Sequence, residues 1–171
     1  MISLDGAVVC VTGAGRGIGR ATATELARRG ARVWIGDLDT EEATRAAAEI
    51  GAKSMHLDVT KVDSLEKFWA AASVDGPVEM LVNNAGIMRL GPFVDQSLEG
   101  HHQEVAVNLG GVINGSHVFL PDMLARNHGH IVNVASMAAK VTTPGIAVYC
   151  ASKFAVAALS RAVRAEIAPP Q

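Results

Sequence analysis

Thr12-Gly13-Ala14-Gly15-Arg16-Gly17-Ile18-Gly19 follows the apolar run Ala7 to Val11 and opens directly into a helical stretch. No other feature restricts the fold as much as this strand, glycine turn and helix in immediate succession. The run is apolar without alternation, as a strand covered on both faces of a parallel sheet has to be. Parallel neighbours cannot be joined by a hairpin, so each return needs a crossover helix. The rest of the chain supplies them. Further short runs at Arg32 to Gly36, Lys53 to Leu57, Val78 to Val82 and His130 to Val134 alternate with longer helical patterns. Ile18 to Arg29 reads as a helix stopped by Gly30 in the position after its end. Asp39-Thr40-Glu41-Glu42 has capping-box spacing and leads an alanine-rich helix to Gly51, and Thr60 to Ser73 forms a third.

Two later stretches carry apolar stripes at three- and four-residue spacing. From about His101 to Leu124 the stripe is Val105, Leu109, Val112, Ile113, Ser116, Leu120 and Met123. From about Ala147 to Ile167 it is Ala155, Ala158, Leu159, Ala162 and Val163, with Phe154, Val156 and Ala157 leaving little polar surface. Helices so apolar are expected to be buried on two sides, in part by a second subunit. The alternation predicts an α/β fold: one domain over residues 1–171, a doubly wound parallel sheet in three layers.

Composition narrows the class. The 171 residues carry 15 Lys+Arg against 17 Asp+Glu, which excludes an electrostatic nucleic-acid binder, and 49% hydrophobic residues exclude disorder. No apolar run reaches the ~20 residues of a membrane span. Residues 1–6 lack the basic and apolar regions of a secretion signal, and two cysteines, Cys10 and Cys150, make no disulfide framework. A cytoplasmic setting is therefore expected.

Ligands of doubly wound sheets bind beyond the carboxyl ends of the strands, so the residues after each run are the candidates. Gly13, Gly15, Arg16, Gly17, Ile18 and Gly19 let a backbone approach a pyrophosphate, with the following helix offering free N–H groups. Asp37 stands 18 residues after Gly19, where a carboxylate meets the adenosine ribose and repels a 2′-phosphate. This places NAD ahead of NADP, and the competing role is a turn or capping acid. Asp58 and Val59 follow the third strand at the height of an adenine edge, with a strand-ending turn as the equal alternative. Asn84, Ala85 and Gly86, after Asn83, would steady a loop beside the cofactor rather than touch the reacting group.

Tyr149 and Lys153 share a helix face at four-residue spacing, and Tyr149 is the chain's one tyrosine. A free tyrosine has a pKa of about 10, so acid–base work near neutrality needs it about 3 units lower, which an adjacent ammonium can largely supply. On spacing alone the plainer reading is a tyrosine packing its ring beside a solvated lysine. Ser136 ends the fifth strand and is placed to donate to a carbonyl oxygen. Asn108 would hold a water linked to Lys153 or serve as a satisfied core amide. His101, His102, His128 and His130 lack metal-site spacing, and no Gly-Lys-Ser/Thr follows the glycine turn, so neither a metal centre nor a P-loop is expected.

In this order the residues resemble the short-chain dehydrogenase/reductase family, in the subgroup marked by Thr-Gly-xxx-Gly-x-Gly and Tyr-xxx-Lys. The likeness runs from Thr12 to Lys153. It implies a Rossmann-type fold with strand order 3-2-1-4-5 and an Asn108–Ser136–Tyr149–Lys153 tetrad. Tyr149 would act as acid–base, Ser136 would orient the reacting oxygen, Lys153 would bind the nicotinamide ribose, and Asn108 would support a proton-relay water. The activity implied is hydride transfer between NAD and a secondary alcohol or ketone. The helices at 101–125 and 147–167 would form a homodimer or homotetramer interface. Family members continue into a sixth and a seventh strand, which are expected to be absent here because the sequence runs out at Ala168-Pro169-Pro170-Gln171. The alternative is a shortened, inactive relative that binds nucleotide or only dimerises. Apart from Ile87 to Phe93 and Met137 to Ala147, with Lys140, Thr142 and Thr143 as contacts, the substrate-choosing residues would fall in the lacking segment.

Overall fold

The computed structural model describes residues 3–168; the expected handover after residue 168 lies outside the described residues. Five strands, β1 (Val8–Thr12), β2 (Arg32–Asp37), β3 (Lys53–His56), β4 (Val78–Asn83) and β5 (His130–Asn133), form one parallel sheet in the order β3-β2-β1-β4-β5. β1 is central and buried along its whole length, which explains its unbroken apolar run. Alternate residues face opposite ways. Val9 and Val11 join Ile35 under α1 (Gly17–Arg28) and α2 (Thr40–Ile50). Val8 and Cys10 join Leu65, Phe68 and Phe119 under α3 (Val62–Ser73) and α5 (Gly111–Ala125) on the other face.

Local signals account for most boundaries. Gly30 (φ +89°) and Gly51 (φ +67°) sit in the left-handed region just beyond α1 and α2, where a residue with a Cβ is strained. Asp39 accepts the N–H of Glu42, one half of the expected capping box. The other half is replaced, because the Asp39 N–H donates to Asp37 Oδ1. α3 starts two residues later than expected, since Asp58 Oδ1 takes both the N–H and the hydroxyl of Thr60 in a turn.

The largest departure from expectation is the long helix. It begins at α4 (Leu98–Val105), with Ser97 capping Gly100 N–H, then passes through one π segment (Ala106–Gly110) into α5. Its buried face is His101, Glu104, Asn108, Gly111, Val112, Gly115, Phe119 and Met123. Val105 and Ile113, expected inside, are exposed. Likewise α6 (Ala147–Ile167) buries Cys150, Ser152, Lys153 and Val156 rather than the Ala155-to-Val163 stripe. In both helices the packed face is partly polar because it binds backbone and neighbouring side chains, which apolar periodicity does not register.

Candidate active site

A cleft of about 540 Å³ opens at the carboxyl ends of the strands. Its walls include Gly13, Arg16, Ile18 and Gly19 from the turn after β1, Asp37 after β2, and Asp58 and Val59 after β3. Asn84, Ala85 and Gly86 follow β4, Ser136 follows β5, and Tyr149 and Lys153 come from α6. Residues scattered over 140 positions of sequence thus line one space. Three expected site residues do not line it. Gly15 is buried beneath the turn, where a Cβ would press on Glu42 Cβ at 3.0 Å and Ala43 N at 3.1 Å. Gly17 is exposed at φ +57°, and Asn108 is buried behind the β4 loop.

The glycine turn is held by a compact hydrogen-bond set. Thr12 Oγ1 accepts the N–H groups of Asn84 and Ala85, both at 3.0 Å. Asn84 Nδ2 donates to Thr12 O and Gly13 O, both at 2.9 Å. These bonds join the β1 and β4 loops across the switch point of the sheet and leave the N-terminus of α1 facing the cleft. Arg16 at that N-cap makes no side-chain cap, so the first N–H groups of α1 remain available to an anion. Asp37 Oδ2 accepts Gly15 N–H at 2.9 Å and Oδ1 accepts Asp39 N–H at 3.1 Å, so this residue shapes the turn as well as lining the cleft. Asp58 serves its turn through Oδ1, and Asp58 and Val59 both border the cleft.

At the other end, Lys153 is 4% exposed and donates to Val134 O at 2.8 Å. Its Nζ lies 5.7 Å from the centre of the Tyr149 ring. Burial lowers the lysine pKa below its ordinary value. Ser136 Oγ accepts Ala138 N–H at 3.1 Å, capping a short 3-10 turn (Met137–Ala139) and leaving its own proton free. Asn108 is committed: Nδ2 donates to Ile87 O at 2.8 Å and Ser152 Oγ at 3.1 Å, while Oδ1 accepts Ile87 N–H at 2.8 Å. A Cβ at Gly86 would stand 3.2 Å from Asn108 Oδ1 and 3.7 Å from Lys153 Nζ, so the backbone packs closely against both polar atoms here and a side chain would crowd Asn108.

Sequence reasoning missed Thr12 and Ser152, although Thr opening the glycine turn and Ser preceding the lysine were both visible. It also missed Asn133, which accepts from Asn83 Nδ2 at 2.9 Å and donates to Ser160 Oγ at 2.9 Å, tying β4, β5 and α6 together. Lys140, Thr142 and Thr143 are exposed and do not line the cleft. The histidines separate: His101 is buried against Phe93, whereas His128 pairs with Glu79 at 2.8 Å. Among the described residues no group of His, Cys, Asp and Glu is arranged to hold a metal ion. Burial pushes the Cys10 thiol far above its usual pKa, which removes it as a nucleophile.

Comparison with known proteins places this geometry. The chain is 42% identical over 167 residues to the probable oxidoreductase EphD of Mycobacterium tuberculosis, covering 94% of this chain and 28% of that protein. It is 37% identical over 173 residues to the putative oxidoreductase SadH of the same organism, covering 98% and 63%. It is 38% identical over 169 residues to the 2,5-dichloro-2,5-cyclohexadiene-1,4-diol dehydrogenase LinX of Sphingobium indicum, covering 95% and 68%. The chain therefore spans between about a quarter and two thirds of the length of these relatives. A Burkholderia phymatum short chain dehydrogenase/reductase solved with NAD superposes with a TM-score of 0.93 at 34% identity, over 97% of this chain and 62% of that one. A metagenomic short-chain oxidoreductase solved with NADP gives 0.90 at 34% identity, over 97% and 78%. The family model described as short chain dehydrogenase matches residues 7–171. With the five-strand order, the dinucleotide-type turn and this match in agreement, the chain belongs to the short-chain dehydrogenase/reductase family of oxidoreductases.

Proposed function

We propose that the chain binds NAD in this cleft and takes part in hydride transfer between the nicotinamide and a secondary alcohol or ketone. One observation carries the reading: a single cleft is bordered by the glycine turn at one end and by Ser136, Tyr149 and Lys153 at the other. The available α1 N–H groups suit a pyrophosphate, and the Asp37 carboxylate suits ribose hydroxyls. Gly13, Gly19 and Arg16 would hold the phosphates, Asp58 and Val59 the adenine, and Asn84, Ala85 and Gly86 would bound the nicotinamide side. Gly15 and Gly17 would act through the shape of the turn. Asp37 would disfavour the 2′-phosphate of NADP by charge repulsion.

When bound, the nicotinamide supplies or accepts the hydride. The remaining chemistry belongs to the chain. The Tyr149 hydroxyl gives a proton to, or takes one from, the substrate oxygen. Ser136 Oγ–H donates to the same oxygen and fixes its direction. The Lys153 ammonium stabilises the tyrosinate form and so brings the phenol toward the working pH. Asn108 would support a proton-relay water near Lys153, both residues lying close to Gly86.

The exposed apolar residues Val105 and Ile113 of the long helix and Phe154 of α6 support assembly with a second copy, as a homodimer or homotetramer. No described helix is long and apolar enough to cross a membrane, and both cysteines are free, which suits a reducing cytoplasm. A second reading is nucleotide binding without turnover, in which the glycine turn is used and the Ser136–Tyr149–Lys153 end of the cleft is not. Titration with NADH, followed by its fluorescence, tests the binding step, and absence of binding refutes both readings. With secondary alcohols and ketones as substrates, Tyr149→Phe is expected to abolish turnover while changing NADH affinity less than about twofold. Turnover retained in that variant refutes the assigned acid–base, whereas a wild-type chain that binds without turnover establishes the second reading.

A further inference from the structure

Residues 84–90, after β4, have no regular secondary structure, yet two side chains of the long helix grip the stretch. Asn108 binds both the N–H and the carbonyl of Ile87, each at 2.8 Å, as a neighbouring strand would. One turn earlier, Glu104 Oε1 accepts the N–H of Arg89 at 3.0 Å. Four residues of helix advance about 6 Å and two residues of extended chain about 6.6 Å, so the two grips match the repeat of alternate residues. Glu104 is 1% exposed, and a carboxyl that deep in a protein costs stability unless it is bonded. Its bond is spent on the backbone of the stretch from which Ile87 and Met88 line the cleft alongside Tyr149 and Lys153. Two residues further on the chain is secured too: Gly91 N–H donates to Gly145 O at 2.9 Å, in the loop leading to α6.

We propose that Glu104 is a positioning residue, which with Asn108 clips residues 87–89 to the long helix and so holds one wall of the cleft in its binding shape. The effect on ligand rests on the dinucleotide reading above; the clip itself does not. The clip requires an acceptor rather than a charge, so Glu104→Gln retains it and Glu104→Leu removes it.

The test uses the 171-residue chain, with backbone amide exchange read by NMR and NADH affinity by fluorescence. In Glu104→Leu the Arg89 amide is expected to exchange about tenfold faster or more, with the Val9 and Val11 amides of β1 unchanged. NADH is expected to bind about three- to tenfold more weakly. In Glu104→Gln both quantities stay within about twofold of wild type. Unchanged Arg89 exchange or unchanged NADH affinity in Glu104→Leu overturns the proposal, and so does a Gln variant as impaired as the Leu variant. If the Leu variant does not fold, loss of Arg89 protection in Glu104→Gln still overturns it, and retained protection supports it. A wild-type chain that does not bind NADH refutes the dinucleotide reading, while the exchange comparison continues to decide the clip.

Discussion

Gly19→Ala is the substitution for which the structure gives the most definite expectation. A Cβ at Gly19 would overlap the Gly13 carbonyl oxygen and stand 2.5 Å from Asn84 Nδ2 and 2.9 Å from Ala14 Cα. The first and third are backbone atoms of the turn itself and cannot rotate away, so the α1 N-terminus and the turn have to separate. Overpacking of this kind costs about 1–3 kcal/mol. The displaced Asn84 amide also stands to lose its bonds to Thr12 O and Gly13 O, at about 1 kcal/mol each. Alanine recovers up to about 1 kcal/mol as a better helix former at this position in α1. The net expectation is a loss of about 3 kcal/mol. For a chain of this size that lowers the melting temperature by about 6–12 °C. Gly17→Ala is the control, because Gly17 has φ +57° but no atom within 4 Å of a Cβ. Only the left-handed backbone penalty of about 1–2 kcal/mol applies there. Thermal melts followed by far-ultraviolet circular dichroism check the pair. A Gly19→Ala protein melting within about 2 °C of wild type, or above the Gly17→Ala protein, refutes the account of the turn.

Two further substitutions probe charges at the cleft. Asp37→Asn keeps an oxygen for Gly15 N–H but removes the negative charge, so the ratio of NADP to NAD affinity is expected to rise about tenfold; an unchanged ratio in binding titrations refutes repulsion as the basis of cofactor preference. Lys153→Met tests the buried ammonium through stability. The folded lysine has the lower pKa, so between that value and about 10.4 the unfolded chain binds more protons and wild-type stability rises with pH. Urea unfolding of wild type minus Lys153→Met is expected to show that rise over this window, and a flat difference refutes it.

The five strands and the helix stops were legible because they rest on local chemistry. A continuous apolar run such as Ala7 to Val11 suits a strand buried on both faces, and glycine after α1 or α2 enters a left-handed conformation that other residues resist. The cleft residues were legible for a related reason: in a doubly wound sheet the positions just after each strand share one edge. The faces of the long helix and α6 were not. Apolar periodicity assigns Val105 and Ile113 to the interior, but His101, Glu104 and Asn108 lie there because Phe93, Arg89 and Ile87 offer backbone groups that need partners.

Residue order alone settled which short runs become strands, where helices stop, and which side chains are candidates for the chemistry. Each of those depends on a few neighbours along the chain. The tertiary structure decided which candidates share the cleft. It left Asn108 bonded to Ile87 and Ser152 instead of lining that space, gave Asp37 and Asp58 turn bonds besides their places in the wall, and turned a buried glutamate toward the backbone of the β4 loop. Apart from the Asp58 turn, which closes on Thr60 two residues on, those outcomes depend on hydrogen-bond partners 15 to 44 residues away, which come within reach only when the sheet has assembled.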